Sequence, residues 1–534
     1  MSQEIPIQPV ENPILCNPWD EPGAHWMYDA KTDAPQKLQH RRPAGYWYKT
    51  ERTGTAQLSL LAEEERDDLP LINALRDDVR RWREAGYRGA SHVTRDLLQY
   101  WARTDRHRRL FFCQREAVET IIYLAELRFT GRSSRTGFQR FAILDDDLKK
   151  LLAGERSSGA LGGTPDFFPT LIDPPADGNL IPLRRLGCKM ATGSGKTVNM
   201  AMLIAWASCN RGVNRESREF PSAVLVCCPN LTVKERLQVL RPEHPGNYYA
   251  EFDIVPPKYR PLLQTGKVLV TNWHGFAPES EHKDGDRNYA VVNKGPETPD
   301  VFVQRVLGKD MSERLPILVL NDEGHHCWRP KAETEDGEGL TAEERQALKD
   351  EAEEARVWLD GLDRINNCGL AGAGKPGIAL AVDLSATPFY IKGSNHPEGQ
   401  PFPWLVSDFG LVDAIESGIV KIPRLPVLDT TGRPDPKYFR LWERIREDLQ
   451  PGEFLPGRAR KPKPEAIWRE AEDALRQMAA FRAGASGEAW AGGSPAGSHH
   501  RLRQYRYRRN ILSQHQRRTR GRVRHRGRSR GGVI

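Results

Sequence analysis

One stretch constrains this chain more than any other: Ala191-Thr192-Gly193-Ser194-Gly195-Lys196-Thr197. It follows a basic and apolar run, Leu183 to Met190, and leads into an apolar helical pattern from Val198 to Ala207. Small residues at the mouth of a helix let backbone N–H groups close around phosphate oxygens, and the helix N-terminus adds partial positive charge. The stretch therefore predicts a strand, a phosphate-binding loop and a helix in succession. Thr192, Gly193, Ser194 and Gly195 would wrap the phosphates, Lys196 would reach the β- and γ-phosphates of ATP, and Thr197 would hold Mg²⁺. The strict form of this loop has glycine where the chain has Met190.

Bulk properties bound the rest. At 534 residues the length suits roughly three or four domains. Hydrophobic residues make up 38%, below the usual ~45–50%, so non-core segments are expected beside a sizeable core. No run reaches the ~18 apolar residues of a membrane helix. The N-terminus, with Glu4, Pro6 and Pro9, lacks a secretory apolar region. The expectation is a cytoplasmic protein with no membrane partner. The eight cysteines form no C-x-x-C pair, which reads as scattered buried thiols in a reducing compartment. Neighbouring ligands at a strand end point in different directions, so His325-His326-Cys327 is not expected to bind metal. Net charge is +8, yet thirteen arginines and no lysine or acid follow Glu488, so the basic balance belongs to the tail and not to the body.

The chain changes character along its length. Residues 1–104 are polar and contain many Trp and Tyr, and read as an N-terminal extension wrapped on a larger domain. Within them Leu71, Leu75, Val79 and Trp82 have helical spacing. From Phe111 onward, short apolar runs at Ala223–Cys228, Val268–Thr271, Ile317–Leu320 and Ile378–Leu384 alternate with helical patterns. That predicts an α/β fold, a parallel sheet with crossover helices, its ligand site at the carboxyl ends of the strands. Residues 275–310 and 331–360 read as polar insertions, the second opening a solvated helix at Thr341-Ala342-Glu343-Glu344. Residues 462–480 hold one amphipathic helix, and beyond Phe481 the composition turns to Gly, Ala and Ser, then Arg.

Three further segments carry chemistry. Ile317–Leu320 ends in Asn321-Asp322-Glu323-Gly324-His325-His326, placing two carboxylates where a parallel sheet presents its ligand. Asp322 could hold Mg²⁺, and Glu323 could orient and deprotonate an attacking water. Leu384-Ser385-Ala386-Thr387-Pro388 offers small hydroxyl residues at another strand end. Gln114, in Phe111-Phe112-Cys113-Gln114, could both donate to and accept from an adenine edge.

These segments, in this order, resemble the motifs of superfamily 2 helicases and translocases, with Ala191–Thr197 as the phosphate loop. The resemblance implies an RecA-like P-loop domain over residues 105–415 with Lys196, Asp322 and Glu323 as catalytic residues. It implies that His325, Ser385, Ala386 and Thr387 couple the site to a neighbouring domain. Pro229-Asn230-Leu231-Thr232 and Thr271-Asn272-Trp273-His274 look like the segments that touch the nucleic-acid backbone, so Pro229, Asn230, Thr271 and Asn272 become candidate contacts. Within the superfamily the chain most resembles the Res subunits of type III restriction endonucleases. The doubled histidine, Asn12–Leu15, His25-Trp26 and Leu411–Glu416 carry that likeness, which spans residues 12 to about 480. It implies ATP-driven movement on duplex DNA beside a methyltransferase partner.

The family's second RecA-like domain and nuclease pattern have no match after residue 416. An incomplete second motor domain at 416–481 and a disordered basic tail at 482–534 are expected. An Arg-rich, Lys-free tail is what a GC-rich gene yields in a wrong frame. Shifted by one nucleotide, the stretch His499–His515 permits an apolar strand, a polar turn and a helix start. A frameshift between Phe481 and Ser498 is the expectation, with weak ATP hydrolysis as its consequence. The rival reading makes the tail a nucleic-acid arm, its arginines on phosphates and Tyr505 and Tyr507 stacked on bases. Two other functions stay open, a repair or RNA helicase of the same superfamily and a non-catalytic ATP-binding module anchored by the tail.

Overall fold

The structure, a computed structural model, describes residues 12–28, 35–49, 64–132 and 141–421, apart from 165–166, 176, 218, 278–296, 331–341, 391–393 and 395. The expected second motor domain, the helix at 462–480 and the basic tail lie outside these residues.

Two short antiparallel ribbons come first: β1 (His25–Tyr28) on β2 (Pro35–Leu38), and β3 (Gly45–Lys49) on β4 (Glu64–Asp68). Three helices follow, α1 (Pro70–Glu84), α2 (His92–Ala102) and α3 (Phe112–Ile122). Proline at the first position suits α1, because its missing N–H has no partner there. Leu71, Leu75, Val79 and Trp82 line the buried stripe of α1 and join the same apolar cluster as the central sheet. After α4 (Asp145–Ala153), the short β5 (Ile172–Asp173) pairs antiparallel with β6 (Leu183–Met190).

The rest is α/β. Strand β6 leads to α5 (Lys196–Val213), then β7 (Ala223–Cys228), α6 (Leu231–Arg236) and β8 (Lys267–Asn272). Next come α7 (Pro299–Leu307), β9 (Ile317–Asp322), α8 (Ala342–Asn366), β10 (Ile378–Ser385), β11 (Leu405–Phe409) and α9 (Leu411–Glu416). The sheet has seven strands, and its path β11-β6-β10-β9-β7-β8 is parallel at every pairing, with β5 added antiparallel to β6.

Alternate strand residues serve opposite faces. Leu186, Val224, Val226, Leu318, Leu320 and Val382 face α1, α2, α3 and α5, whereas Ala223, Leu225, Ile317, Val319 and Ala381 face α7 and α8. Both faces are covered, which is why the strands read as unbroken apolar runs.

Two expectations need correction. Within the second supposed insertion α8 is not a solvated helix: it buries Ala355, Trp358 and Leu359, and beyond them Leu362 and Ile365. Likewise α7, inside the other supposed insertion, buries Phe302 and Val303. Strand β11 was not foreseen at all. Among the described residues no helix is long and apolar enough to cross a membrane.

Candidate nucleotide site

The loop after β6 is shaped by its glycines. Gly193 and Gly195 sit at φ 90° and 94°, a left-handed region open to glycine without penalty. A Cβ on Gly195 would run into the side-chain amide of Gln114. Ser194 folds the loop inward, donating from both N (3.1 Å) and Oγ (2.7 Å) to the Ala191 carbonyl. Ala191 N in turn donates to Phe409 O at 2.9 Å, so β11 holds the loop from outside. Helix α5 then begins at Lys196, and Lys196 and Thr197 occupy the first turn, where N–H groups lack intrahelical partners.

Parallel pairing brings the other segments to the same edge. Leu384 lies opposite Asp322, and Ser385 lies opposite Lys189, so β6, β9 and β10 all end at one level. There Lys196 Nζ reaches Glu323 Oε1 at 2.5 Å. Glu323 Oε2 lies 3.5 Å from His325 Nδ1, and that nitrogen is 2.8 Å from Ser385 Oγ. Ser385 Oγ also accepts from Thr387 N at 3.0 Å, which places Ala386 and Thr387 in the turn beyond β10. Three segments separated in sequence thus converge on one edge.

Glu323 itself has φ 52°, unusual for a residue with a side chain. Strain of this kind persists only where the surroundings enforce it, and it concentrates at functional sites. Here Asp322 ends β9 and the one-turn helix Gly324–His326 starts immediately after. The left-handed residue is the hinge between them.

Electrostatics divide the two carboxylates. Burial, then the Glu323 carboxylate, raises the Asp322 pKa to about 6, against the lowering pull of Lys196 and Arg236. Burial, then His326, lowers the His325 pKa to about 4, with the Glu323 carboxylate opposing. The His325 ring is therefore neutral near pH 7, and which nitrogen carries the proton decides whether Ser385 donates or accepts.

Gln114 has a different local task from the one expected. Its Oε1 accepts from Phe111 N at 2.9 Å and caps α3, while its amide nitrogen abuts Gly195. The side chain is buried against the loop.

The four candidate nucleic-acid contacts lie further along the same edge. Pro229 and Asn230 follow β7, and Thr271 and Asn272 end β8, with Cys228 opposite Asn272. Asn230 is exposed and its Oδ1 accepts from Val233 N at 3.0 Å, capping α6. Asn272 is buried, its Nδ2 2.9 Å from His274 Nδ1. Its side chain is thus held against His274, which is exposed.

No family model matches the chain, and no curated protein matches it.

Sequence reasoning passed over a buried network directly beneath the site. Arg185, fully buried in β6, donates to Asp383 Oδ2 (2.7 Å), Asp173 Oδ2 (2.8 Å) and the Cys327 carbonyl. Asp383 also accepts from Asn321 Nδ2 and Trp404 Nε1, each at 2.8 Å. A Cβ on Gly324 would strike Asp383, so the acidic turn rests on this network. Two opposite charges inside apolar strands were the available clue, since buried charges must be paired.

The residues present fit a nucleoside triphosphate with a divalent cation. The loop supplies a glycine-lined helix N-terminus, Lys196 a cation, and Thr197 and Asp322 a hydroxyl and a carboxylate of the hard-oxygen kind that Mg²⁺ selects.

Proposed function

We propose that residues 105–415 form the RecA-like ATP-binding domain of a superfamily 2 translocase that acts on duplex DNA, of the kind used by type III restriction systems. The observation that carries this reading is the contact of Lys196 with Glu323 at 2.5 Å, made where three adjacent parallel strands end. It joins the phosphate loop to the acidic strand end, the two halves of an ATP-hydrolysing site. The His325–Ser385 contact adds the third segment in the expected order.

The roles follow from the chemistry. Lys196 neutralises phosphate charge, and its release from Glu323 frees a carboxylate to orient and deprotonate water. Thr197 and Asp322 would hold Mg²⁺. When bound, the cation offsets charge on the phosphates and favours the ionised form of Asp322. Gln114 stands at the back of the loop, where it would brace Gly195. A cytoplasmic setting and a methyltransferase partner belong to the same proposal.

The test is equilibrium binding of mant-ATP·Mg to the full chain, followed by phosphate release with and without duplex DNA. Saturable binding that Lys196→Ala removes is the expected result. Equal binding by parent and variant would overturn the reading.

A further inference from the structure

The acidic strand end carries two histidines, and they face different ways. His325 turns to Ser385 on β10. His326 turns to α8, where its Nδ1 lies 3.8 Å from Glu354 Oε1. The two rings remain 4.3 Å apart, tilted by 38°.

Beyond Glu354 the path reaches the end of β8. The indole N–H of Trp273 bears on the Glu354 carboxyl and favours its ionised form. Yet Glu354 Oε1 and Trp273 Nε1 are both buried without a closed hydrogen bond. Native interiors rarely leave such atoms unmet, so a pair of them side by side calls for a reason.

Trp273 stacks on His274 with ring centroids 3.8 Å apart and planes at 22°, and His274 bonds Asn272. Helix α8 is seated firmly on this turn: a Cβ on Gly361 would come within 2.5 Å of the Phe276 ring. Helix α8 thus carries Glu354 and the Trp273–Phe276 turn as one packed unit. His326, by contrast, hangs from the Gly324–His326 turn, whose first dihedral is the left-handed Glu323.

We infer that His326 and Glu354 are positioning residues that couple occupancy of the Lys196–Glu323 site to the Asn272–His274 segment, and through it to a phosphodiester backbone. This rests on the nucleotide reading above. The physical warrant is a continuous run of contacts between the two segments, His326 beside Glu354 and α8 packed on the Trp273–Phe276 turn. Burial and the Glu351 carboxylate raise Glu354 to about 7, and burial lowers His326, with Glu351 and Glu323 opposing.

The test measures mant-ATP·Mg affinity of the full chain with and without a saturating short DNA duplex. In the parent the duplex should tighten mant-ATP at least about fivefold, the lower end of typical coupling. In His326→Ala and in Glu354→Gln that shift should fall below about twofold, with affinity in the absence of duplex held within about twofold. A shift retained in both variants, each melting as the parent does, overturns the inference. So does a parent whose mant-ATP affinity ignores the duplex. A parent that fails to bind mant-ATP at all removes the nucleotide reading, and the inference with it.

Discussion

Lys196 and Glu323 hold each other at 2.5 Å across the gap between the phosphate loop and the end of β9. Each is the group a bound phosphate or an attacking water would claim. Binding must therefore break an ion pair before it makes new contacts, and the two side chains are expected to respond differently to removal.

Glu323→Gln should keep mant-ATP binding, because Lys196 is released and the loop is untouched. Hydrolysis should fall by roughly 10²–10⁴-fold, the usual contribution of a positioned proton acceptor. Lys196→Ala should lose binding itself. Titrations of both variants with mant-ATP, set beside phosphate release, separate the two effects. A Glu323→Gln variant that hydrolyses at the parent rate would rule out the general-base role.

Gly195→Ala should damage the site by two routes. The φ of 94° is costly for alanine, and the new methyl would meet the Gln114 amide. Strain at such a position is about 1–3 kcal/mol. Adding Gln114→Ala should return the steric part and leave the dihedral part. A double-mutant cycle on urea stability reads the difference, and strictly additive effects would mean the two residues do not touch.

Arg185→Leu should cost about 3–5 kcal/mol, because Asp383 would keep a buried charge without its cation, whereas Asp173 would retain Arg329. Replacing Arg185 and Asp383 together by apolar residues should cost less than Arg185→Leu alone. Urea unfolding of the three proteins checks the order. A double variant less stable than the single would show that the remaining partners, Asn321 and Trp404, dominate.

Stability should fall in acid through Glu116. Burial alone would raise its pKa, but Arg41, joined to it at 2.5 Å, with Arg76 and Arg83, overrides burial and holds it at about 2. The folded pKa lies below the ordinary 4.5, so the folded state is stabilised by this group above that value. The contribution should drain away as pH drops from 4.5 toward 2. Urea midpoints of the parent and of Glu116→Gln should converge over that window. A constant gap between them would contradict the assignment.

Strand content was legible where burial on both faces forces continuous apolar sequence. Ala223–Cys228 and Ile317–Asp322 have every residue buried, and no other local structure explains such short runs as well. Strand β11 escaped because Ser407 and Asp408 interrupt its apolar run, and Asp408 is tolerated through its 2.9 Å contact with Lys189, with Arg76 and the Gly45 N–H beside it. Helix α8 was misread because its charged residues outnumber the apolar ones that face the sheet. The stripe of Ala355, Trp358, Leu362 and Ile365 is visible only once a surface exists for it to cover.

Local chemistry determined the strand-loop-helix unit, since glycine spacing, one lysine and a helix start act within a few residues. It likewise determined that two carboxylates would stand at a strand end. Parallel pairing decided what these groups meet: Lys196 found Glu323, His325 found Ser385, and His326 turned to Glu354. Those partners are distant in sequence, and their pairing depends on strand order and register, which arise from the cooperative packing of the whole sheet.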